Sequence, residues 1–136
     1  MAEGVLFVCL GNSCRSIMAE ALARHFFPAP LRVASAGLQP LGYVAKETLL
    51  VLAEAGIATE GLRSKGLTDV DLALFPLLVN LTTYSVADHL PPTFPGRVLN
   101  YPVSDPFGRA LEVYRQSRDA IRRFVTGELP AYLGQP

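Results

Sequence analysis

The stretch VLFVCLGNSCRS, residues 5–16, joins three different patterns. Its first five residues form a continuous β-favouring apolar run, which is typical of a strand buried on both faces. A polar segment with Gly, Asn and Ser follows. From Ser16 onward, apolar residues recur at helical spacing, with Ser16 placed as the N-cap and Pro28 as the residue that ends the run. The stretch therefore predicts a strand, a tight loop and a helix.

The remainder of the chain repeats this alternation of strands and helices. A second strand is predicted over residues 31–35, and a second helix over residues 45–55 ends before Gly56. The later predicted elements are a short turn or helix over residues 67–75 capped by Thr68, strands over residues 77–81 and 97–101, a short helix within residues 86–91 and a closing helix over residues 111–125. One face of the closing helix is predicted to be buried, and it carries Tyr114, Ile121 and Phe124. Another face is predicted to be solvated, and it carries Arg115, Arg118 and Arg122.

Strands that alternate with helices predict the α/β class. The expected architecture is a three-layer sandwich with a four-stranded parallel sheet flanked by helices, because right-handed crossovers lay the helices on the faces of the sheet. Ligands of such sheets bind beyond the carboxyl ends of the strands. Cys9 lies at one such end and Asp105 lies shortly after another, so these two residues can meet although they are far apart in the sequence.

The composition limits the possible partners and locations. The chain has 136 residues, of which 50% are apolar, so it is expected to form a single domain over residues 1–136. Twelve Lys and Arg residues balance twelve Asp and Glu residues, which argues against binding to nucleic acid or to an anionic membrane. The longest apolar run contains Pro76 and is far shorter than the roughly 20 residues of a membrane span. Two cysteines are too few for a disulfide framework in a fold of this size. The first residues, MAEG, lack the pattern of a signal peptide. Both observations predict a cytoplasmic location.

The loop between the first strand and the first helix has the composition of an oxyanion cradle. A loop this short can direct successive backbone N–H groups inward at a helix N-terminus, where an anion is favoured. Gly11 and Asn12 suit the tight bend, because Gly adopts positive φ freely and Asn tolerates it. Arg15 adds a planar fork of donors that matches two oxygens of a tetrahedral oxyanion and that stays charged. A nucleotide-type phosphate loop is disfavoured, because the stretch has no Lys before Ser and only one Gly.

Cys9 is predicted to be a nucleophile. The helix N-terminus and the guanidinium of Arg15 favour the thiolate, which is the reactive form of cysteine. The Ser16 hydroxyl is available to donate a hydrogen bond to the sulfur. The alternative is that Cys9 is a small buried hydrophobic residue at a strand end, as free cysteines commonly are. A Cys and an Arg that flank five loop residues between a strand and a helix favour the catalytic interpretation.

These motifs resemble the low molecular weight protein tyrosine phosphatases and their structural relatives, the thioredoxin-coupled arsenate reductases. The resemblance covers nearly the whole chain and rests on residues 5–26, Ser35 to Gly37, Ser64-Lys65 and Asp105-Pro106. It implies a phosphotyrosine protein phosphatase I-like fold, a cysteinyl covalent intermediate and no metal or organic cofactor. It also implies that Cys9 is the nucleophile, that Arg15 binds the phosphoryl group and that the oxyanion lies among Leu10, Gly11, Asn12, Ser13, Cys14 and Ser16.

Asp105 matches the general acid of that family. Departure of an alkoxide or phenoxide from phosphorus is slow unless the oxygen is protonated, and a positioned acid contributes roughly 10²- to 10⁴-fold in rate. Pro106 biases Asp105 toward an extended conformation that can aim the carboxylate into a site. The alternative is an ordinary turn residue, since Asp-Pro-Phe-Gly is a common turn composition.

Several positions depart from the family pattern. Ile17 stands where the phosphatases usually carry Pro and the reductases often carry Gln. Thr82 and His89 stand where the reductases place two recycling cysteines, which excludes a three-cysteine disulfide relay. Phe107-Gly108 replaces the pair of tyrosines that is typical of the phosphatases.

Two further sets of residues have open interpretations. Leu10, Leu41, Tyr43 and Phe107 either line a cleft for an aromatic substrate or are ordinary core and surface residues. Cys14 either forms a reversible disulfide with the nucleophile, which would protect it from overoxidation, or packs beneath the loop. His25 and His89 have no metal-ligand spacing, so no metal site is predicted.

The sequence therefore predicts a phosphomonoester hydrolase whose substrate is a phosphotyrosine protein or a small aryl phosphate. One alternative is an arsenate reductase of the same fold, acting on an inorganic oxyanion with an external thiol reductant. Another is a non-catalytic oxyanion-binding module. No nucleic acid or membrane partner is expected.

Overall fold

The computed structural model describes residues 4–27 and 29–133. Its strands form one four-stranded parallel sheet in the order β2-β1-β3-β4, and they are β1 (Gly4–Cys9), β2 (Arg32–Gly37), β3 (Leu77–Asn80) and β4 (Arg97–Asn100). The α-helices are α1 (Arg15–Phe26), α2 (Lys46–Glu54), α3 (Leu111–Gly127) and α4 (Pro130–Leu133). Single 3-10 turns cover Leu67–Asp69, Leu72–Leu74 and Ala87–His89. The predicted class, a four-stranded parallel sheet flanked by helices, is confirmed.

Some expectations about the whole chain are not tested by this architecture. Pro28, the predicted end of the first helix, lies outside the described residues, and α1 ends at Phe26. Within the described part of the chain, none of the helices has the length and apolar character needed to cross a bilayer. The single domain and the cytoplasmic location stay predictions.

β1 occupies the interior of the sheet and is buried along its whole length. On one side Cys9 lies opposite Gly37 of β2, and on the other side Val8 lies opposite Asn80 of β3. Since all four strands run in the same direction, their carboxyl ends share one edge of the sheet. Cys9 therefore reaches this edge between the segments that follow β2 and β3.

Alternate residues of β1 face two hydrophobic clusters, one on each side of the sheet. Val5 and Phe7 belong to a cluster with the apolar faces of α1, α2 and α3, whereas Leu6 and Val8 pack on the opposite side. Apolar residues that the helices contribute to the first cluster include Met18, Leu22, Leu52, Ile121 and Phe124. The 3-10 turns and their flanking segments cover the second cluster through Leu67, Phe75 and Val86. The predicted burial of Tyr114, Ile121 and Phe124 is confirmed.

Two predicted caps are wrong. α1 begins at Arg15 with Cys14 in the cap position and without a side-chain cap, so Ser16 lies inside the helix. The turn at residues 67–69 is not capped by Thr68 either, because the Asp69 carboxylate accepts a hydrogen bond of 2.9 Å from the Gly66 N–H. The Ser16 hydroxyl instead contacts Cys9 Sγ and Asn12 Nδ2, which belong to the segment before the helix. At the turn, the Asp69 side chain accepts from the Gly66 N–H, so no cap from Thr68 is needed.

The predicted solvated arginine face on α3 is confirmed for the exposed Arg122 and is wrong for Arg118, whose side chain is 14% exposed. Arg115 Nε and Arg118 Nη1 both contact Glu54 Oε1 of α2, at 2.7 and 2.8 Å. Arg118 Nη1 also donates to the Val51 carbonyl at 2.8 Å, and the Arg122 guanidinium lies 5.1 Å from the centre of an aromatic ring of α1. Since α2 and α3 pack side by side, Arg115 and Arg118 face the last turn of α2, where cations are favoured.

Candidate active site

The loop that connects β1 to α1 is bent at Asn12. This residue has a φ of 48° and is the only non-glycine residue with positive φ among residues 4–27 and 29–133, so the predicted tolerance of Asn is confirmed. Its buried side chain donates from Nδ2 to Ser16 Oγ (2.7 Å) and Ser35 Oγ (2.9 Å), and its Oδ1 accepts from the Lys65 N–H (2.8 Å). These three bonds hold a backbone conformation that is otherwise unfavourable.

At Gly11 and Gly37 the missing Cβ allows neighbouring atoms to approach closely, and neither residue has a positive φ. A Cβ on Gly37, at the end of β2, would lie 2.8 Å from the Leu10 carbonyl oxygen and 3.0 Å from the Asn12 nitrogen. A Cβ on Gly11 would lie 3.0 Å from Leu41 Cγ, and Gly11 does not have positive φ, so the predicted reason for this glycine is wrong. No structural role of Gly37 was predicted, although this residue is part of the segment that carries the family resemblance. Its position at the carboxyl end of a strand was the available signal.

The Cys9 sulfur lies beside the Ser16 hydroxyl. Cys9 is 2% exposed, and its Sγ is 2.9 Å from Ser16 Oγ. Because Ser16 Oγ accepts a hydrogen bond from Asn12 Nδ2, its own hydrogen is available to the sulfur. Such a bond stabilises a charged acceptor more than a neutral one. The structure thus brings together three residues that the sequence singled out.

Arg15 is buried at the first turn of α1, with 6% of its surface exposed. Its Nη1 donates to the carbonyl of Leu81 (3.2 Å) and to the carbonyl of Val103 (3.0 Å), which follow β3 and β4. Its Nε is buried and has no hydrogen-bond partner among the residues that the structure describes. Buried N–H groups are nearly always paired, so this Nε is a donor suited to an oxygen of a bound oxyanion.

Asp105 lies at the mouth of the same site, with 47% of its side chain exposed. Its Oδ1 accepts from the Phe107 N–H at 3.0 Å, as expected of a turn residue, and its Oδ2 lies 3.5 Å from Arg15 Nη2. The turn geometry and the approach to Arg15 are therefore compatible. The role of Asp105 as an acid stays a prediction.

A cleft of about 140 Å³ contains these groups. It is lined by Cys9, Leu10, Gly11, Ser13, Cys14, Arg15, Gln39, Leu41, Asp105 and Phe107. Leu10, Leu41 and Phe107 were suggested as lining residues and do line the cleft. Tyr43 was also suggested, but it is exposed and does not line the cleft. Gln39 lines the cleft and was not predicted. The cleft therefore has apolar side chains such as Leu41 and Phe107 on its wall, together with the guanidinium of Arg15, a hydrogen-bond donor group.

Cys14 is buried and unpaired, like Cys9. Its Sγ lies 3.8 Å from the Tyr114 hydroxyl of α3. Burial raises the pKa of the Cys14 thiol, which keeps this residue protonated at neutral pH. The contact with Tyr114 fits the packing interpretation, and the protective disulfide stays a prediction.

Residues distant in sequence support the outer side of the loop. Ser13 Oγ accepts from the Ala45 N–H at 2.9 Å, and the Ser13 carbonyl accepts from Thr48 Oγ1 at 2.9 Å. Ser64 Oγ donates to the Gly11 carbonyl at 3.2 Å. The contacts of Ala45 and Thr48 were not predicted, because nothing local indicates that the start of α2 packs against this loop.

The positions that depart from the family pattern have ordinary surroundings. Ile17 is fully buried in α1, Thr82 is buried and donates to Asn80 Oδ1 at 2.7 Å, and His89 is exposed. Within the described residues no group of three or more His, Cys, Asp or Glu side chains could hold a metal ion. That the protein uses no metal or cofactor stays a prediction.

The fold and the site define a class of α/β proteins in which a tight loop, with a Cys before it and an Arg after it, joins the first strand to the first helix. The family model described as low molecular weight phosphotyrosine protein phosphatase matches residues 4–131. The chain belongs to this family.

Relatives of both enzymatic kinds are similar to this chain. A glutaredoxin arsenate reductase of Synechocystis sp. is 30% identical over 123 residues, which cover 89% of this chain and 92% of the relative. A probable low molecular weight protein-tyrosine-phosphatase, EpsP, of Ralstonia nicotianae is 31% identical over 140 residues, covering 96% of each chain. The crystal structure of the tyrosine phosphatase AmsI of Erwinia amylovora has the same fold, with a TM-score of 0.87, 20% identity and coverage of 99% of this chain and 95% of that one. The family thus includes phosphatases and arsenate reductases.

Proposed function

We propose that the protein hydrolyses phosphomonoesters, with aryl phosphates such as phosphotyrosine as substrates. The observation that carries this proposal is the half-exposed carboxylate of Asp105, 3.5 Å from the buried guanidinium of Arg15 and on the same cleft as Cys9. A nucleophile, an anion-binding cation and an acid are the groups that double displacement at phosphorus requires. The similarity to a probable tyrosine phosphatase supports the proposal.

In the first step, the Cys9 sulfur attacks phosphorus and the bond from phosphorus to the ester oxygen breaks. Asp105, in its carboxylic acid form, gives its proton to that oxygen, which leaves as a phenol. Arg15 Nε and the backbone N–H groups of the loop donate to the phosphoryl oxygens, where negative charge must be stabilised in the transition state.

In the second step, the Asp105 carboxylate takes a proton from water and the water oxygen attacks phosphorus. The bond between sulfur and phosphorus breaks, which releases phosphate and returns the thiolate. The Ser16 hydroxyl, 2.9 Å from the sulfur, stabilises the charge that develops there as the sulfur leaves.

The side chains around the cleft favour an aryl ester over a free anion. Leu41 and Phe107 line the cleft and expose 44% and 45% of their surfaces. An aromatic ring that enters between such apolar groups buries its own apolar surface, at roughly 25 cal/mol per Å². Inorganic phosphate or arsenate gains nothing from these side chains.

A second candidate function is arsenate reduction with an external thiol. It is favoured by the similarity to the glutaredoxin arsenate reductase and fits the presence of only two cysteines in the sequence. In this reaction the Cys9 sulfur bonds to arsenic with loss of water. A thiol then attacks that sulfur, so that arsenic departs as arsenite with two more electrons and Cys9 is left in a mixed disulfide. A second thiol frees Cys9 and forms a disulfide between the two external thiols.

The deciding experiment compares aryl phosphate and arsenate turnover on one preparation, the latter with glutathione and a glutaredoxin. We expect phosphatase activity that Cys9→Ser abolishes. Asp105→Asn should slow the release of unactivated phenol by about 10²-fold or more, with a much smaller effect on a dinitrophenyl ester whose oxygen needs no proton. Asp88→Asn, in an exposed turn, is the control and should behave as wild type.

The other outcomes favour the remaining functions. A protein inactive on aryl phosphates but active on arsenate with thiol is a reductase. If phosphate binds and neither reaction proceeds, the protein is an oxyanion-binding module.

A further inference from the structure

One face of the sheet is partly open beside β4. The helices α1, α2 and α3 cover the opposite face, whereas on this face β3 is joined to β4 by the single 3-10 turn Ala87–His89 rather than by an α-helix. Val98 of β4 lies opposite Leu78 of β3, so both side chains are on the open face. Leu78 is fully buried, but Val98 is 40% exposed. Parallel strands usually have both faces covered, so this one leaves apolar surface for another molecule.

Two further grooves lead from the cleft that contains Cys9 to this open face. The outer groove, of about 740 Å³, follows β4 and has Phe94 and Val98 in its lining. The middle groove, of about 310 Å³, borders both the outer groove and the cleft. The middle and outer grooves have in common Thr83, Tyr84 and Pro102. The middle groove and the cleft have in common Leu10, Arg15 and Asp105. The three therefore adjoin one another in a row.

Tyr84 lies where the middle groove meets the outer groove, and its backbone is fixed. Its N–H donates to Thr82 Oγ1 at 3.0 Å, and its carbonyl accepts from Asn80 Nδ2 at 2.7 Å. Both partners are buried, whereas Tyr84 itself is 58% exposed. An exposed aromatic side chain on an ordered backbone loses less conformational freedom when a ligand packs on it than one on a mobile loop. Tyr84 is thus suited to recognition.

The lining of the outer groove is uncharged. Among the residues that the structure describes, no Lys, Arg, Asp or Glu lines it, and the charged residues of the middle groove are the two that it shares with the cleft, Arg15 and Asp105. A charged side chain placed in the outer groove would lose hydration without gaining an ion pair, which is unfavourable. An apolar side chain gains from the same burial. The outer groove therefore favours uncharged, apolar ligands.

We propose that the outer groove binds a segment of a phosphotyrosine-containing protein, with apolar and uncharged side chains on one side of the phosphotyrosine. This inference rests on the proposed function and names its substrate class, a polypeptide rather than a small aryl ester. The occupant follows from the row of adjoining grooves and from the absence of charge in the outer one. With the phosphoryl group beside Cys9, the residues on one side of the phosphotyrosine cross the middle groove in an extended conformation and reach Tyr84 and Val98.

The test compares kcat/KM for synthetic phosphotyrosine peptides with kcat/KM for p-nitrophenyl phosphate. Each peptide has phosphotyrosine at its centre, and one flank carries either leucine or glutamate at alternate positions with serine elsewhere. Both flanks are tested. For one of the two flanks, we expect kcat/KM of the leucine peptide to exceed that of the glutamate peptide by about tenfold or more, because only leucine buries apolar surface in the outer groove.

Two variants connect this preference with the groove. Val98→Lys places an ammonium group in the outer groove, at an edge strand where lysine is well tolerated. It should lower kcat/KM of the leucine peptide by about fivefold or more and raise that of the glutamate peptide. Tyr84→Ala should lower the ratio of kcat/KM for the leucine peptide to that for p-nitrophenyl phosphate by about fivefold, mainly through KM, because the ring contacts groups that the small ester lacks.

The matched controls keep the chemistry of each change and remove its location or its cause. Leu50→Lys replaces another exposed apolar residue, on α2, which lines none of the three grooves, and should leave the leucine-to-glutamate ratio as in wild type. Tyr84→Phe keeps the ring and should retain most of the wild-type preference. Circular dichroism and thermal unfolding establish that each variant is folded. If Val98→Lys does not fold, the comparison of Tyr84→Ala with Tyr84→Phe decides the question.

The outcomes separate this inference from the proposed function. If p-nitrophenyl phosphate is hydrolysed but the leucine-to-glutamate ratio is the same in wild type, Val98→Lys and Tyr84→Ala, the inference is wrong and the proposed hydrolase stands. If no phosphate ester is hydrolysed, the hydrolase is refuted and the inference falls with it. A dimer in light scattering that Val98→Lys dissociates, with no change in peptide preference, would assign the outer groove to a second copy of the chain and overturn the inference.

Discussion

Arg15 Nη2 lies 3.5 Å from Asp105 Oδ2, although the two residues belong to the first helix and to the segment after the last strand. They meet because the strands are parallel, so the connections that follow them emerge at one edge of the sheet. The same guanidinium donates to the carbonyls of Leu81 and Val103 through Nη1, and its buried Nε has no partner within the described part of the chain. Protein groups thereby hold Arg15 on one side, and under the proposed function its other side binds the oxyanion.

Arg15→Lys should weaken oxyanion binding although it keeps the positive charge. Lysine cannot reproduce the planar fork, so at least one charge-assisted hydrogen bond to the oxyanion is lost, about 1.5–3 kcal/mol. We expect the phosphate concentration that halves the rate of Cys9 alkylation to rise at least about tenfold. Arg32→Lys, at an exposed position, is the control. Equal protection by phosphate in Arg15→Lys and wild type would contradict the assigned geometry.

Gly37→Ala should disturb the site from outside it. The added Cβ would lie 2.8 Å from a backbone oxygen and 3.0 Å from a backbone nitrogen of the loop, neither of which can rotate away. We expect a loss of about 1–3 kcal/mol in the free energy of unfolding, measured with urea, together with lower turnover. Gly127→Ala is the matched control, because its Cβ would have no neighbour within 4 Å and should be neutral or slightly stabilising. Similar stabilities for the two variants would argue against the close packing of β2 on the loop.

Asn12→Ala and Asn12→Gly should separate backbone strain from lost hydrogen bonds. Both variants lose the bonds to Ser16, Ser35 and Lys65, but only alanine is strained at a φ of 48°. We expect Asn12→Ala to be less stable than Asn12→Gly by about 1 kcal/mol in urea denaturation. A more stable Asn12→Ala would mean that the loop leaves the left-handed conformation when the side chain is removed.

Cys14 should make the protein less stable at alkaline pH. Since burial raises the pKa of Cys14, the folded protein keeps a proton that the unfolded chain releases. The resulting stability is complete below about pH 8.5, where an ordinary thiol titrates, and is lost as the pH rises through the higher folded value. Between about pH 8 and 10, the free energy of unfolding of wild type should fall more steeply than that of Cys14→Ala.

The slope, rather than the absolute stability, is the readout for Cys14. The alanine variant also loses packing against Tyr114, which lowers its stability at every pH. Parallel pH profiles for the two proteins would contradict a buried, protonated thiol at this position.

Local sequence patterns predicted the elements with small errors at their ends. The strand predicted over residues 5–9 is Gly4–Cys9, and the helix predicted over residues 45–55 is Lys46–Glu54. Apolar periodicity and a helix-stop glycine depend on neighbours in the chain, so they can be read without tertiary information. The positive φ of Asn12 belongs to the same class of feature, because it depends on the residue's own conformational preference.

Several of the errors concern polar groups that had a local interpretation and found a distant partner. Ser16 is a reasonable helix cap by position, yet its hydroxyl contacts the sulfur and the amide of the preceding loop. Arg118 is on a polar helix face, yet it reaches the end of α2. A hydrogen-bonding side chain selects the best partner that burial brings near, and that partner is absent from its sequence neighbourhood.

The sequence alone determined that a strand ends at Cys9, that a tight polar loop follows and that a helix begins after this loop, because short-range patterns suffice for each. Tertiary structure decided that Asp105 faces Arg15, that Gly37 lies against the loop and that Ser35 and Lys65 hold Asn12. The reason is that the order β2-β1-β3-β4 sets which segments flank β1, and strand order depends on the packing of the whole chain rather than on any local pattern.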